Sequence, residues 1–149
     1  MKKHLLFLPF LFCSCFLFGP KFKQSIFSYT ENNQQHSLPI IVLPGYTSQK
    51  TTTDSVGNTD VIYNYGKAIL YVTYVQDTLQ DSQPIDTSIN VPRIHPHGGL
   101  IYKGMNDNEH FWREIHRGHL RFGYRDVPRS LEIKFDSATN YASGLPPLK

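Results

Sequence analysis

Residues 61–78, VIYNYGKAILYVTYVQDT, constrain the fold more than any other stretch of this chain. Aromatic and β-branched residues dominate them, which suits a pleated strand better than a helix. Gly66 and Lys67 interrupt the run, so a two-strand hairpin and a bulged strand are both open. In the second half Ile69, Tyr71, Thr73 and Val75 face one way, and Leu70, Val72, Tyr74 and Gln76 the other. Apolar residues on both sides predict a central strand covered, at least in part, on both faces.

The surrounding sequence supplies further strands and one helix. LPIIVLPG is a short apolar run bracketed by Pro39 and Pro44, as in an edge strand, because proline cannot donate to a ladder. The Thr, Ser, Asp and Gly-rich text that follows reads as a long loop or weak hairpin, and residues 99–103, GLIYK, as a short strand. Residues 106–118, NDNEHFWREIHRG, read as a helix: Asn106, Asp107 or Asn108 caps it, Glu109 sits in the first turn, and Gly118 stops it. Phe111, Trp112 and Ile115 then make an apolar stripe directed at the sheet. Past Gly118 the period becomes 2, with Leu120, Phe122 and Tyr124 on one face and His119, Arg121 and Arg125 on the other. Leu131, Ile133 and Phe135 continue the alternation beyond DVP, which predicts a closing hairpin. The expected class is α+β: a small, mainly antiparallel sheet of about five or six strands with one amphipathic helix packed on it, preceded by a signal segment.

The chain's 149 residues, 40% of them hydrophobic, suit one core. Its first residues are Met1, Lys2, Lys3 and His4, then the apolar or small run LLFLPFLFCSCFLF from Leu5 to Phe18. A basic start and a run too short to span a bilayer, broken by Pro9 and followed by Gly19-Pro20, have the layout of a secretory signal. Both cysteines, Cys13 and Cys15, lie inside it, so the remainder folds without disulfides. FCSC resembles a bacterial lipobox, in which a small residue precedes a cysteine that is acylated and becomes the mature N-terminus; Cys15 is then the lipidated residue. Phe12 stands where such boxes usually carry Leu, and Phe16-Leu17-Phe18 where a polar tether is usual. The expected divisions are a signal peptide or lipoprotein signal at 1–19, a polar tether at 20–38 and a single domain at 39–149.

Charge is polarised along the sequence. Residues 24–92 hold two basic against six acidic groups, and residues 93–149 nine against six. After removal of residues 1–14 the net charge is only +1, and the aromatic-rich half is acidic, which argues against a nucleic-acid partner.

Chemistry-bearing residues concentrate in 95–126, which hold five of the seven histidines and the only tryptophan. His95 and His97 share a face of an extended segment and reach one ion if His119 or His116, with Glu109 or Asp107, completes a set of ligands for zinc or another divalent transition metal. Against this, the chain has no H-E-x-x-H motif and no cysteine past residue 15. Arg113, Arg117, Arg121 and Arg125 recur every four residues, but Gly118 and Gly123 forbid one continuous helix. They pair on two elements, with acids at hand to neutralise them in a salt-bridged surface. No G-x-S-x-G elbow or phosphate-cradling glycine motif occurs.

The functional expectation is a non-enzymatic, exported envelope protein, lipid-anchored where Cys15 is acylated. It binds another macromolecule, a protein by preference, through Trp112, Arg113, Arg117, Arg121 and Arg125, and touches the membrane by its N-terminal signal or anchor. No cofactor is expected on this reading. The alternative is a metal-dependent hydrolase or metal-binding protein using His95, His97 and His119.

Overall fold

The computed structural model describes residues 22–78 and 92–144. The signal segment with Cys15, residues 79–91 of the turn-rich stretch 79–96 (LQDSQPIDTSINVPRIHP), which its prolines and polar residues predict to be a loop, and the tail 145–149 lie outside them. In chain order the elements are β1 (Lys23–Glu31), β2 (Gln34–Val42), β3 (Ser48–Thr53), β4 (Thr59–Tyr65), β5 (Ala68–Tyr74), β6 (Arg93–Ile94), β7 (Leu100–Met105), β8 (Phe111–Arg117), β9 (Leu120–Val127) and α1 (Glu132–Ser143). A seven-stranded sheet runs in the order β3-β4-β5-β9-β8-β7-β6, and β1 and β2 form a separate hairpin. Every pairing is antiparallel.

The α+β class with one helix agrees with the sequence expectation; the strand number and the helix position do not. Residues 61–75 split at Gly66 into β4 and β5, with β5 central. The segment expected to be a tether begins the hairpin instead, because Ser25, Phe27 and Tyr29 alternate inward and Phe27 is only 1% exposed. Nine strands result among the described residues, rather than five or six.

The expected helix at 106–118 is the strand β8. Its apolar residues fit a helical stripe, but Arg113, Ile115 and Arg117 also share one face of a strand, and that face is the one covered by α1. A buried arginine disguised the alternation. The presumed cap is a loop in which the Asn106 side chain accepts from the Asn108 and His110 amides, while Gly118 (φ 59°) turns β8 into β9.

The helix instead occupies Glu132–Ser143, where a closing strand was expected. Phe135, Ala138, Thr139 and Ala142 are buried at helical spacing, whereas Ile133 is 80% exposed. Glu132 lies in the first turn, where the dipole favours an anion, and Gly144 (φ 68°) closes the last turn by donating to the Asn140 and Tyr141 carbonyls.

The core lies between the seven-stranded sheet and a second layer made of α1 and the hairpin. Val61, Tyr63, Leu70, Val72, Ile115, Phe122 and Tyr124 rise from the sheet to meet Phe27, Ile40, Val42, Phe135 and Ala138. Tyrosine hydroxyls tie the layers: Tyr63 to Ser25 at 2.7 Å, Tyr124 to Asp136 at 2.8 Å and Tyr65 to the Leu43 carbonyl at 2.6 Å. An extra residue in β9 near Asp126 (φ 56°) shifts its register against β8 and returns Val127 to the core.

On the opposite sheet face, Gly123 lies directly between Tyr71 of β5 and Glu114 of β8. A Cβ built there would sit 2.3 Å from the Tyr71 ring and 2.8 Å from the Arg113 carbonyl oxygen. Gly123→Ala is therefore expected to lower unfolding stability by about 1–3 kcal/mol in denaturant titrations. Unchanged stability would show that Tyr71 moves aside without cost.

Candidate binding site

The sheet register sorts the side chains that face away from α1 and the hairpin into rows. One row is Asp60, Thr73, Arg121, His116 and Leu100; the next is Ile62, Tyr71, Gly123, Glu114 and Tyr102; Asn64, Ile69 and Arg125 follow. Among the described residues, no helix or strand packs on this face.

Its centre is a polar network. With no side chain at Gly123, the Tyr71 ring lies across β9 and its hydroxyl donates to Glu114 Oε2. His116 Nε2 lies 2.5 Å from Glu114 Oε1, so both carboxylate oxygens are engaged. The Arg125 guanidinium stands 5.2 Å above the Tyr71 ring, within cation–π range. Thr73 Oγ1 donates to Asp60 Oδ1 at 2.5 Å, and Arg121 donates to the Gly118 carbonyl at 2.6 Å. Asp60, Tyr71, Thr73, Glu114, Arg121 and Arg125 border a cavity of about 340 Å³, toward the lower end of small-ligand sites.

Burial acts against the ionised form of Glu114, but hydrogen bonds from His116 and Tyr71 and the charges of His116 and Arg125 outweigh it, and its carboxyl titrates below the ordinary range. Tyr71 goes the other way: burial first, then the adjoining carboxylate, push its phenol far above normal. The pair is thus an ionised acceptor facing a neutral donor at physiological pH.

The sequence-nominated arginines do not form one surface. Arg113 and Arg117 point to α1: Arg113 is 4% exposed and donates to Asn140 Oδ1 at 2.7 Å, while Arg117 donates to the Ser143 carbonyl at 2.5 Å. Arg121 and Arg125 belong to the opposite face, as does Trp112, whose ring covers Gly104. The cause is β8 itself, since a strand sends alternate residues to opposite sides where the expected helix would not.

The nominated histidines are also committed locally. His95 is 2% exposed, and its Nδ1 accepts the His97 amide at 3.1 Å. The two rings lie 5.6 Å apart in the turn before β7. His119, in the β8–β9 turn, stacks on Tyr74 and bonds the Val75 carbonyl through Nδ1 at 2.8 Å. Among the described residues, no group of three or more His, Cys, Asp or Glu is placed to hold a metal ion. Nor is any helix there long and apolar enough to cross a membrane.

Sequence reasoning missed Tyr71, Glu114 and Asp60 as members of one cluster. Tyr71 lies on the strand face that its alternation predicts, whereas Glu114 is hidden by the helical pattern of its segment. The spacing Glu114-x-His116 is the signal that a strand reading would have exposed.

Since Glu114's folded pKa is depressed below 4.5, its stabilising effect is complete above that pH and disappears as the pH falls through the folded value. Glu114→Gln should cost about 1.5–3 kcal/mol at neutral pH, and its stability curve should converge with that of the unaltered protein in acid. Parallel curves in pH-dependent denaturant titrations would contradict the assignment. No protein-family profile, curated protein or solved structure matches this chain.

Proposed function

We propose that the chain is an exported envelope protein, anchored by lipid on Cys15, that acts by binding another macromolecule rather than by catalysing a reaction. The observation that carries this reading is the division of labour between the two faces of the sheet. One face takes α1 and the hairpin and forms the core. On the other, the nearly buried Tyr71, Glu114 and Arg121 and the exposed Arg125 line a cavity large enough for a protruding side chain.

The partner is best read as a protein. The face offers charges of both signs beside aromatic rings, as protein interfaces commonly do, and lacks the uniform basic field that a nucleic acid would favour. Trp112 and Arg125 remain the contact residues of this reading, because Trp and Arg are enriched at binding hot spots, while Arg121, only 5% exposed, lines the cavity wall. Arg113 and Arg117 are assigned to holding the helix. The export part rests on Lys2, Lys3, the apolar run after them and the lipobox-like FCSC.

Photo-crosslinking in intact envelopes tests the reading. A crosslinking side chain at Ile62 or Leu100 on this face should give an adduct of defined mass. Arg125→Glu should abolish the adduct while leaving the amount of folded protein unchanged. Absence of any adduct from both positions, or an adduct indifferent to Arg125→Glu, would overturn the proposed face.

A further inference from the structure

The first described strand starts at Lys23, inside the stretch 20–38 expected to be a tether, and this shortens the distance between the described fold and an anchor at Cys15. Only six residues separate Cys15 from Phe22, seven residue steps in all. A fully extended chain covers at most about 3.3–3.6 Å per residue, so an acyl group on Cys15 keeps Phe22 within about 25 Å of the bilayer surface. That is less than the breadth of a seven-stranded sheet whose strands lie about 4.8 Å apart. On such an anchor, the part of the molecule around Phe22 would be the part held nearest the membrane.

We infer that the outer surface of the hairpin and α1 is a membrane-docking face whose occupant is the phospholipid bilayer; this rests on the lipid-anchor reading above. Phe22 meets Tyr141 of α1 edge-on, with ring centroids 5.1 Å apart, so the anchor point and the helix are neighbours. Large apolar side chains remain exposed on the helix and on the hairpin. Ile133 is 80% exposed, Tyr141 52% and, on the outward side of β1, Ile26 66%. Ile26 pairs across the hairpin with Pro39, also exposed.

Charge fits the same occupant. Lys23 follows the anchor point and Lys134 lies on the exposed part of the helix. The helix's acids are drawn inward, with Lys103 2.6 Å from Glu132 and 2.9 Å from Asp136. An apolar surface bordered by lysines, with its carboxylates withdrawn, suits the boundary of an anionic leaflet. The polar sheet face then points away from the membrane, toward a partner.

Fluorescence quenching by lipid tests this. The full, processed chain is reconstituted in phosphatidylethanolamine–phosphatidylglycerol vesicles containing brominated acyl chains, and flotation measures attachment. In a Trp112→Phe background, tryptophan is placed by Ile133→Trp or by Ile26→Trp, both at exposed positions that leave the core intact. Emission from either protein should fall at least about twofold relative to unbrominated vesicles, as expected for side chains sunk into the headgroup–acyl boundary, while native Trp112 on the opposite face stays unquenched. Protein that floats with both introduced tryptophans unquenched, or with Trp112 quenched instead, overturns the docking face and leaves the anchor standing. Protein that does not float overturns both.

Discussion

A buried arginine holds this architecture together. Arg113 rises from the middle of the sheet into α1, where its guanidinium meets the Asp136 carbonyl and carboxylate at 3.1 and 3.3 Å, Thr139 Oγ1 at 3.2 Å and Asn140 Oδ1 at 2.7 Å. Taking a cation out of water is costly unless it is paired and its donors are satisfied, and a planar fork of five N–H groups can meet that condition on one helix face. The helix needs it. Apart from Phe135 its buried positions are Ala, Thr, Asn and Ser, so apolar burial contributes little to its docking. Lys103 at its first turn and Arg117 at its last add cationic contacts at both ends, the latter complementing the dipole.

The hairpin is attached by a different chemistry. Tyrosines from the inward rows of the sheet bury their rings and pass their hydroxyls to the second layer, as Tyr63 does to Ser25 and Tyr74 to Glu31 at 3.2 Å. Tyr29 stacks on Tyr74 with centroids 4.3 Å apart, fixing the far end of β1. With helix and hairpin both committed to one face, the alternation of β5, β8 and β9 sends Tyr71, Glu114, Arg121 and Arg125 to the other. The candidate site follows from the same clamp, since Arg113 and Glu114 are adjacent residues pointing opposite ways.

These features also explain how far the sequence was legible. The strong period of residues 68–75 and 120–124 identified β5 and β9, because their inward positions are apolar and their outward ones mixed. The period of β8 was illegible for the reason the clamp exists: the row facing α1 reads Arg113, Ile115 and, at its exposed end, Arg117, which on paper is a polar row. The helix was illegible for the complementary reason, as Ala138, Thr139 and Ala142 are too weakly apolar to outline a stripe, while Ile133, the most apolar residue of its first turn, faces outward. β1 carried only Phe27 and Tyr29 as apolar inward signals before the polar TENNQQHS, although Ile40 and Val42 of β2 were visible in LPIIV. Once helix and strand changed places, the evenly spaced arginines divided between two faces and the network around Glu114 became visible.

Native-state hydrogen exchange on an Arg113→Met protein measures the central claim most directly. If the arginine clamp holds the helix, amides 135–143 lose protection by at least about 2 kcal/mol, while those of β5 and β9 lose markedly less, because the helix detaches before the sheet opens. Helix protection unchanged from the native protein would mean that Phe135 and its small apolar neighbours dock α1 unaided, and would contradict the account.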